Sequence, residues 1–247
     1  MKNKLNLRIA SSNELINFLK RFSSIESSLL IELEGGYMKA KTHTPERSVV
    51  KSSKIELSRI FVDSPEISES VMFGVYNIDK LMQTFKHFPE GGVDFVLEYE
   101  KTAEGNVGTT IIVSNESLKI SFDCASLRLF THITDEMMER ISTTDSSVVN
   151  FILSKENQNR ILSLSTIDSD SKLLTFDVKE GKVSSLGKSF HLNLLNLEDN
   201  DEQTNISLYK QQFAYLDRED SIAYVSDDRI VFNSIETDTK TIIGKAD

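Results

Sequence analysis

Strand, helix and hairpin follow one another twice along this chain in the same order, and that duplication restricts the fold more than any single motif. In the first half come Leu5–Ile9, an amphipathic stretch from Ser12 to Ser24, Ser28–Leu33, the turn Glu34-Gly35-Gly36 and Tyr37–Thr42. In the second come Val149–Leu153, Lys155 to about Ile167, Leu173–Val178, Lys179-Glu180-Gly181 and Lys182–Ser185. Later in each half, Val71–Tyr76, a helix and Val93–Tyr99 are matched by Asn205–Tyr209, a helix and Ile222–Val225. The offset falls from about 143 residues at the first helix to about 132 at the second, so the second copy is trimmed in its middle. A repeat of this size means two stacked copies of one unit.

The dominant period is two, as in Leu118-Lys119-Ile120-Ser121-Phe122, so most of the chain is expected to form antiparallel sheet. Four segments have helical spacing instead. Ser12–Ser24 turns Leu15, Phe18, Leu19 and Phe22 to one face, with Ser11 or Ser12 as cap. Ile78–Phe88, capped by Asn77, buries Ile78, Leu81, Met82, Phe85 and Phe88 and turns Lys80, Gln83 and His87 outward. Lys155–Ile167, capped by Ser154, exposes Lys155 and Arg160, and Lys210–Arg218 packs Phe213 and Leu216. The expected class is α+β, with domains at 1–126 and 148–247 and a connector at 127–147. Hydrophobic residues at 39% allow a core in each half.

Catalytic signatures are missing. No H-E-x-x-H, C-x-x-C pair, G-x-S-x-G or G-x-G-x-x-G occurs, and His43, His87, His132 and His191 show no metal-ligand spacing. Gly181–Ser189 imitates a phosphate loop but has five residues between its glycines where four are needed, and Phe190–Leu194 behind it alternates like a strand. Glu198–Glu202 lacks the spacing of a calcium loop and reads as solvated. No metal, cofactor or enzymatic activity is expected. An enzyme assembled from Asp94, Glu98 and His132 has no motif behind it. The single cysteine, Cys124, excludes an internal disulfide, and no run of 18 apolar residues or signal-like start appears, so a cytoplasmic, membrane-free protein is expected. For a viral chain that means the host cytoplasm, for a eukaryotic one the nucleus.

A formal charge of −10 argues at first against nucleic acid. Its distribution argues otherwise. Each helical segment carries +1 (Glu14 against Lys20 and Arg21; Asp79 against Lys80 and Lys86; Glu156 against Lys155 and Arg160; Asp217 against Lys210 and Arg218), which leaves −14 on the remainder. One such face is an ordinary solvated helix surface. Four of them at matching places in a repeat suggest a shared basic face.

With Val75-Tyr76-Asn77-Ile78-Asp79-Lys80-Leu81 entering the second helix, and Phe176-Asp177-Val178-Lys179-Glu180-Gly181-Lys182-Val183 forming a hairpin, the sequence resembles the trimeric DNA polymerase sliding clamps, the family of proliferating-cell nuclear antigen and the tailed-phage clamps. The resemblance covers the whole chain as an order of elements. It implies two clamp domains, each an antiparallel sheet with two inner helices, and three subunits in a ring around duplex DNA. It further implies a processivity factor that tethers the polymerase and is loaded by a separate ATPase. The implied DNA contacts are Lys20, Arg21, Lys80, Lys155, Arg160 and Lys210, with Lys86 and His87 at the periphery; Leu164 stands where Arg21 has its match and thins the third helix. Sliding calls for phosphate attraction without base readout, which such residues supply.

The family's ring closes through two sheet edges, which implies roles for Ser117, Lys119, Ser121 and Asp123 in one strand and Lys188, Phe190, Leu192 and Leu194 in another. The alternative is that either is an ordinary internal strand. Its partner-peptide pocket implies Ile133, Met137, Met138, Ile141, Ile242 and Ile243, against the alternative that the methionines only anchor the connector. The rival function is a monomeric all-β adaptor or virion structural protein with no role on DNA.

Overall fold

Apolar residues at every second position put one face of each strand into a core, and the computed structural model shows this directly. In the strand Leu29–Glu34 the residues Leu29, Ile31 and Leu33 are buried, and in Tyr37–His43 Met38, Ala40 and Thr42 are. The structure describes residues 3–62, 67, 69–88, 92–131, 133–144, 149–167, 171–177, 180–185, 190–193 and 205–246. The chain forms two units, one made of residues 1–42 and 52–133, the other of 43–51 and 134–247.

The first unit draws on β1 (Asn3–Ile9), α1 (Ser12–Ser23), β2 (Leu29–Glu34), β3 (Tyr37–His43), β4 (Val49–Glu56), α2 (Leu57–Ile60), β5 (Val71–Val75), α3 (Ile78–Phe85), β6 (Val93–Thr102), β7 (Gly105–Ser114) and β8 (Lys119–Asp123). Its strand order is β1-β6-β7-β5-β2-β3-β4, with β8 also paired to β7. The pairs β1–β6, β6–β7, β7–β8, β2–β5 and β2–β3 are antiparallel, and β5 and β7 meet in a short parallel stretch, Val71 opposite Asn106 and Met72 opposite Val107. Gly35 and Gly36, both at positive φ (55° and 82°), make the tight β2–β3 turn that side chains disfavour. Helices α1 and α3 pack on each other and on the sheet through Leu15, Phe18, Leu19, Phe22, Ile78, Leu81 and Phe85. Each such burial stabilises by about 1.5–3 kcal/mol.

Gly108 on β7 leaves no room for a side chain: a Cβ there would sit 2.5 Å from Phe73 Cβ and 3.0 Å from Leu97 Cδ1. Gly108→Ala is therefore expected to destabilise the first unit by about 1–3 kcal/mol, read from urea unfolding. A loss below 0.5 kcal/mol would contradict this packing.

The second unit contains α4 (Asp135–Ser142), β9 (Val149–Leu153), α5 (Lys155–Ile167), β10 (Leu173–Asp177), β11 (Lys182–Ser185), β12 (His191–Asn193), β13 (Asn205–Tyr209), α6 (Lys210–Phe213), β14 (Ser221–Val225), β15 (Arg229–Ser234) and β16 (Asp238–Gly244). Its strands run in the orders β16-β15-β14-β9 and β12-β11-β10-β13. Phe151, Phe176, Phe213 and Phe232 form a chain of ring contacts, with centroids 6.0–6.3 Å apart, that ties the two sheets and α6 together. The segment 43–51 lies beside β16, where Gly244 N–H donates to Ser48 O at 2.8 Å.

The duplication holds strand by strand. The order β1-β6-β7-β8 is repeated as β9-β14-β15-β16, and β5-β2-β3-β4 as β13-β10-β11-β12. The chain is α+β, as its sequence indicates.

Two helices end earlier than their spacing suggests. The second stops at Phe85 instead of Phe88, and the fourth at Phe213 instead of Arg218. The cause is the same in both. Phe88 N–H donates to Phe85 O and Leu216 N–H to Phe213 O, so a tighter three-residue turn continues the buried face without α-helix. Three short elements escape the periodicity: α2, a 3-10 turn at Leu127–Leu129, and α4 within the segment read as a connector. Thr134 caps α4 by accepting from Met137 N–H at 3.1 Å.

Candidate functional site

Most of the basic side chains sit in the first or last turn of a helix or in the turn after it, and Arg160 lies within α5. Lys20 and Arg21 occupy the last turn of α1, where positive charge also suits the helix dipole; Lys20 is exposed and Arg21 half-buried. Lys80 is exposed on α3, which Asn77 caps by accepting from Lys80 N–H at 2.8 Å. Lys86 and His87 are exposed in the turn beyond α3, so α3 itself, with Asp79 and Lys80, carries no net charge.

In the second unit Lys155 and Arg160 are exposed on α5. The α5 start is held by Ser154 Oγ, which accepts from Asn157 N–H, and by Asp220, which accepts from Lys155 N–H at 2.7 Å. Arg160 pairs with Glu156 at 2.7 Å, one turn away; both are exposed, so the pair contributes about 0.3–0.5 kcal/mol and offsets Arg160's charge locally. Lys210 departs from the expected outward pose: it is half-buried and its Nζ donates to Ser165 O at 3.1 Å, on α5. Thus α1 packs with α3, and α5 with α6, and each pair carries part of the basic set.

The two strands singled out for assembly both lie at edges. Among the described residues β8 pairs only with β7, and β12 only with β11. On β8 Lys119, Ser121 and Asp123 are exposed while Ile120 and Phe122 are half-buried. Ser117 is not in the strand but in the turn before it, where Asn115 Oδ1 accepts from its N–H at 3.0 Å. The second strand is shorter than Lys188–Leu195: Phe190 is buried just before β12 and Leu192 is half-buried within it. Lys188 and Leu194 lie outside the described residues, as do residues 186–189 of the phosphate-loop imitation and the Glu198–Glu202 cluster.

Of the six apolar pocket residues, Ile133 belongs to the first unit, where it lines a cavity of about 30 Å3 with Leu30, Ala40 and Met72, rimmed by Glu32, Lys39 and Lys41. That is space for one or two waters. Lys41 Nζ donates to Ile133 O at 3.2 Å and pins this stretch. The other five belong to the second unit: α4 packs against β16 with Met138, Ile242 and Ile243 buried, Ile141 half-buried and Met137 exposed.

A second cavity, of about 370 Å3, opens beside β8 and gives no sign in the sequence pattern. Its wall includes Tyr76, Lys80, Leu81, Ile111, Phe122 and Asp123. Cys124, at the end of β8, is no nucleophile: burial pushes its thiol up to about 12, with the Asp123 carboxylate adding to the effect. At pH 8 a thiol reagent should label the folded chain at least about a hundredfold more slowly than the urea-unfolded chain. Equal rates would contradict that burial. No cluster of three or more His, Cys, Asp or Glu suited to a metal occurs among the described residues, and none of their helices is long and apolar enough to cross a membrane.

Neither the protein-family models nor the curated proteins contain a match to this sequence. Solved structures do match in fold. The proliferating cellular nuclear antigen of Entamoeba histolytica superposes with a TM-score of 0.71 at 10% identity, covering 98% of each chain. A. fulgidus PCNA, solved with the C-terminal region of FEN-1 bound, gives 0.63 at 13% identity over 98% of this chain and 97% of that one. A putative DNA polymerase III beta subunit from Eubacterium rectale gives 0.65 at 12% identity over 98% of this chain and 66% of its own. At these identities the likeness defines the fold: this chain has the clamp fold along nearly its full length.

Proposed function

We propose that this chain is a non-enzymatic DNA sliding clamp, a homotrimeric ring of two-domain subunits that encircles duplex DNA and tethers a polymerase. The domains are 1–126 and 148–247, joined by 127–147. The observation that carries this reading is an asymmetry between equivalent strands. In the second unit β16 is covered on its outer edge by segment 43–51, the lead-in to β4. In the first unit its counterpart β8 has no such cover among the described residues, and β12, the counterpart of β4, pairs on one side only. The repeat therefore supplies the missing partner: β12 of a second copy fits beside β8. Because the two edges differ, the contact is head to tail and closes into a ring when the rotation per copy allows it.

Within that ring Lys20, Arg21, Lys80, Lys155 and Arg160 are the proposed phosphate contacts, with Lys86, His87 and Lys210 as lesser ones. The net charge of −10 then keeps DNA off the other surfaces. Met137, Met138, Ile141, Ile242 and Ile243, on α4 and β16 of the second unit, are the proposed surroundings of the partner-peptide site, and the A. fulgidus relative is solved with the C-terminal region of FEN-1 bound. A clamp-loader ATPase is the proposed source of ring opening. Primer extension with the cognate polymerase and loader tests the function: product length should collapse when this chain is omitted. Unchanged lengths would favour the monomeric adaptor.

A further inference from the structure

Lys80 is one of the basic side chains expected to face DNA, and its ammonium also meets an aromatic ring. Its Nζ stands 5.9 Å from the centroid of the Phe122 ring, within cation–π range, and Phe122 lies on the edge strand β8. The same lysine forms part of the wall of the 370 Å3 cavity between α3 and β8, together with Leu81, Ile111, Phe122 and Asp123. The cavity is continuous with the open edge of β8, since Ser121, Phe122 and Asp123 belong to both.

The repeat indicates what such a place holds. The pair β15 and β16 aligns Arg229 with Gly244 as β7 and β8 align Thr110 with Asp123, which sets Ile242 and Ile243 at the positions of Ser121 and Phe122. On β16, Thr241, Ile242 and Ile243 are buried; on β8, Ser121 is exposed and Ile120 and Phe122 only half-buried. The strand beside β16 also sends Lys51 to the turn after α6, where its ammonium is buried against Tyr215 O at 2.7 Å and Asp217 Oδ1 at 2.8 Å. The corresponding space beside β8 and α3 is the open cavity.

We propose that Lys80 is a positioning residue for assembly: it holds Phe122 at the α3–β8 cavity, the socket against which the β12 edge of a second copy docks, in addition to any contact with phosphate. The assignment rests on the ring reading above and adds that assembly and DNA attraction share one side chain.

Self-association without DNA separates the two roles. Sedimentation velocity over a dilution series would compare wild type with Lys80→Ala, Lys80→Arg, Phe122→Leu and Lys20→Ala. Lys80→Ala and Phe122→Leu should each weaken assembly by roughly fivefold, because either loses the cation–ring contact, while Lys80→Arg and Lys20→Ala should stay within about twofold of wild type. Lys80→Ala assembling like wild type, or Lys20→Ala weakening it equally, would overturn the socket assignment and leave the ring intact. A wild-type chain that stays monomeric would overturn the ring and the socket together.

Discussion

Ser121→Pro is expected to leave the monomer folded while weakening its self-association by about a hundredfold or more. Backbone groups alternate along a strand. Cys124 N–H donates to Thr109 O at 2.9 Å, and Leu118 O accepts from Asn115 N–H, so the even-numbered residues of this stretch turn their polar groups toward β7. The backbone groups of Lys119, Ser121 and Asp123 therefore point to the open edge. Proline at 121 removes one donor and sets a ring against an incoming strand without breaking the β7 ladder. Light scattering across a concentration series, with circular dichroism as the folding control, checks the outcome. Undiminished assembly of a folded Ser121→Pro chain would mean that β8 is not the joining edge.

The second large effect is on stability and concerns Lys51, which is fully buried and pairs with Asp217, itself 17% exposed, at 2.8 Å. Removing one partner of a buried pair strands the other, at a typical cost of about 3–5 kcal/mol. Asp217→Leu is expected near the low end of that range, since the Tyr215 carbonyl still accepts from the ammonium at 2.7 Å. Replacing both partners, Lys51→Met with Asp217→Leu, should restore most of the loss, because the apolar pair requires no desolvation of charge. Urea unfolding of the two single variants and the double variant completes the cycle. A single-variant loss below 1 kcal/mol would mean that the pair does not hold segment 43–51 in place.

What could be read from the sequence was local. Ser11, Asn77 and Ser154 cap their helices as their spacing suggests, and α5 spans Lys155–Ile167 as expected, because capping and amphipathic periodicity act within a few residues. The edge position of β8 and β12 is implied by the family resemblance and not by alternation, which looks the same in an edge strand and a central one. Long-range features stayed hidden. Lys51 and Asp217 are 166 residues apart, and no local pattern marks segment 43–51 as part of the second unit. The charge of a helix says nothing of what each charged group touches. Glu156 sits one turn before Arg160 and offsets it, and Lys210 bends onto Ser165 O, so the basic face of the second unit is thinner than the count implied. Nor does any local pattern announce that Ile133 lines a cavity with Leu30, Ala40 and Met72.

A ring that encloses DNA is held by topology, and a protein held only by charge is not. The most direct measurement is retention on DNA after loading, compared between a nicked circle and the same molecule cut once. The account predicts that the chain stays on the circle through a high-salt wash, where phosphate contacts are screened, and leaves the linear form by sliding off its ends. Equal release from circle and linear DNA under that wash would contradict it.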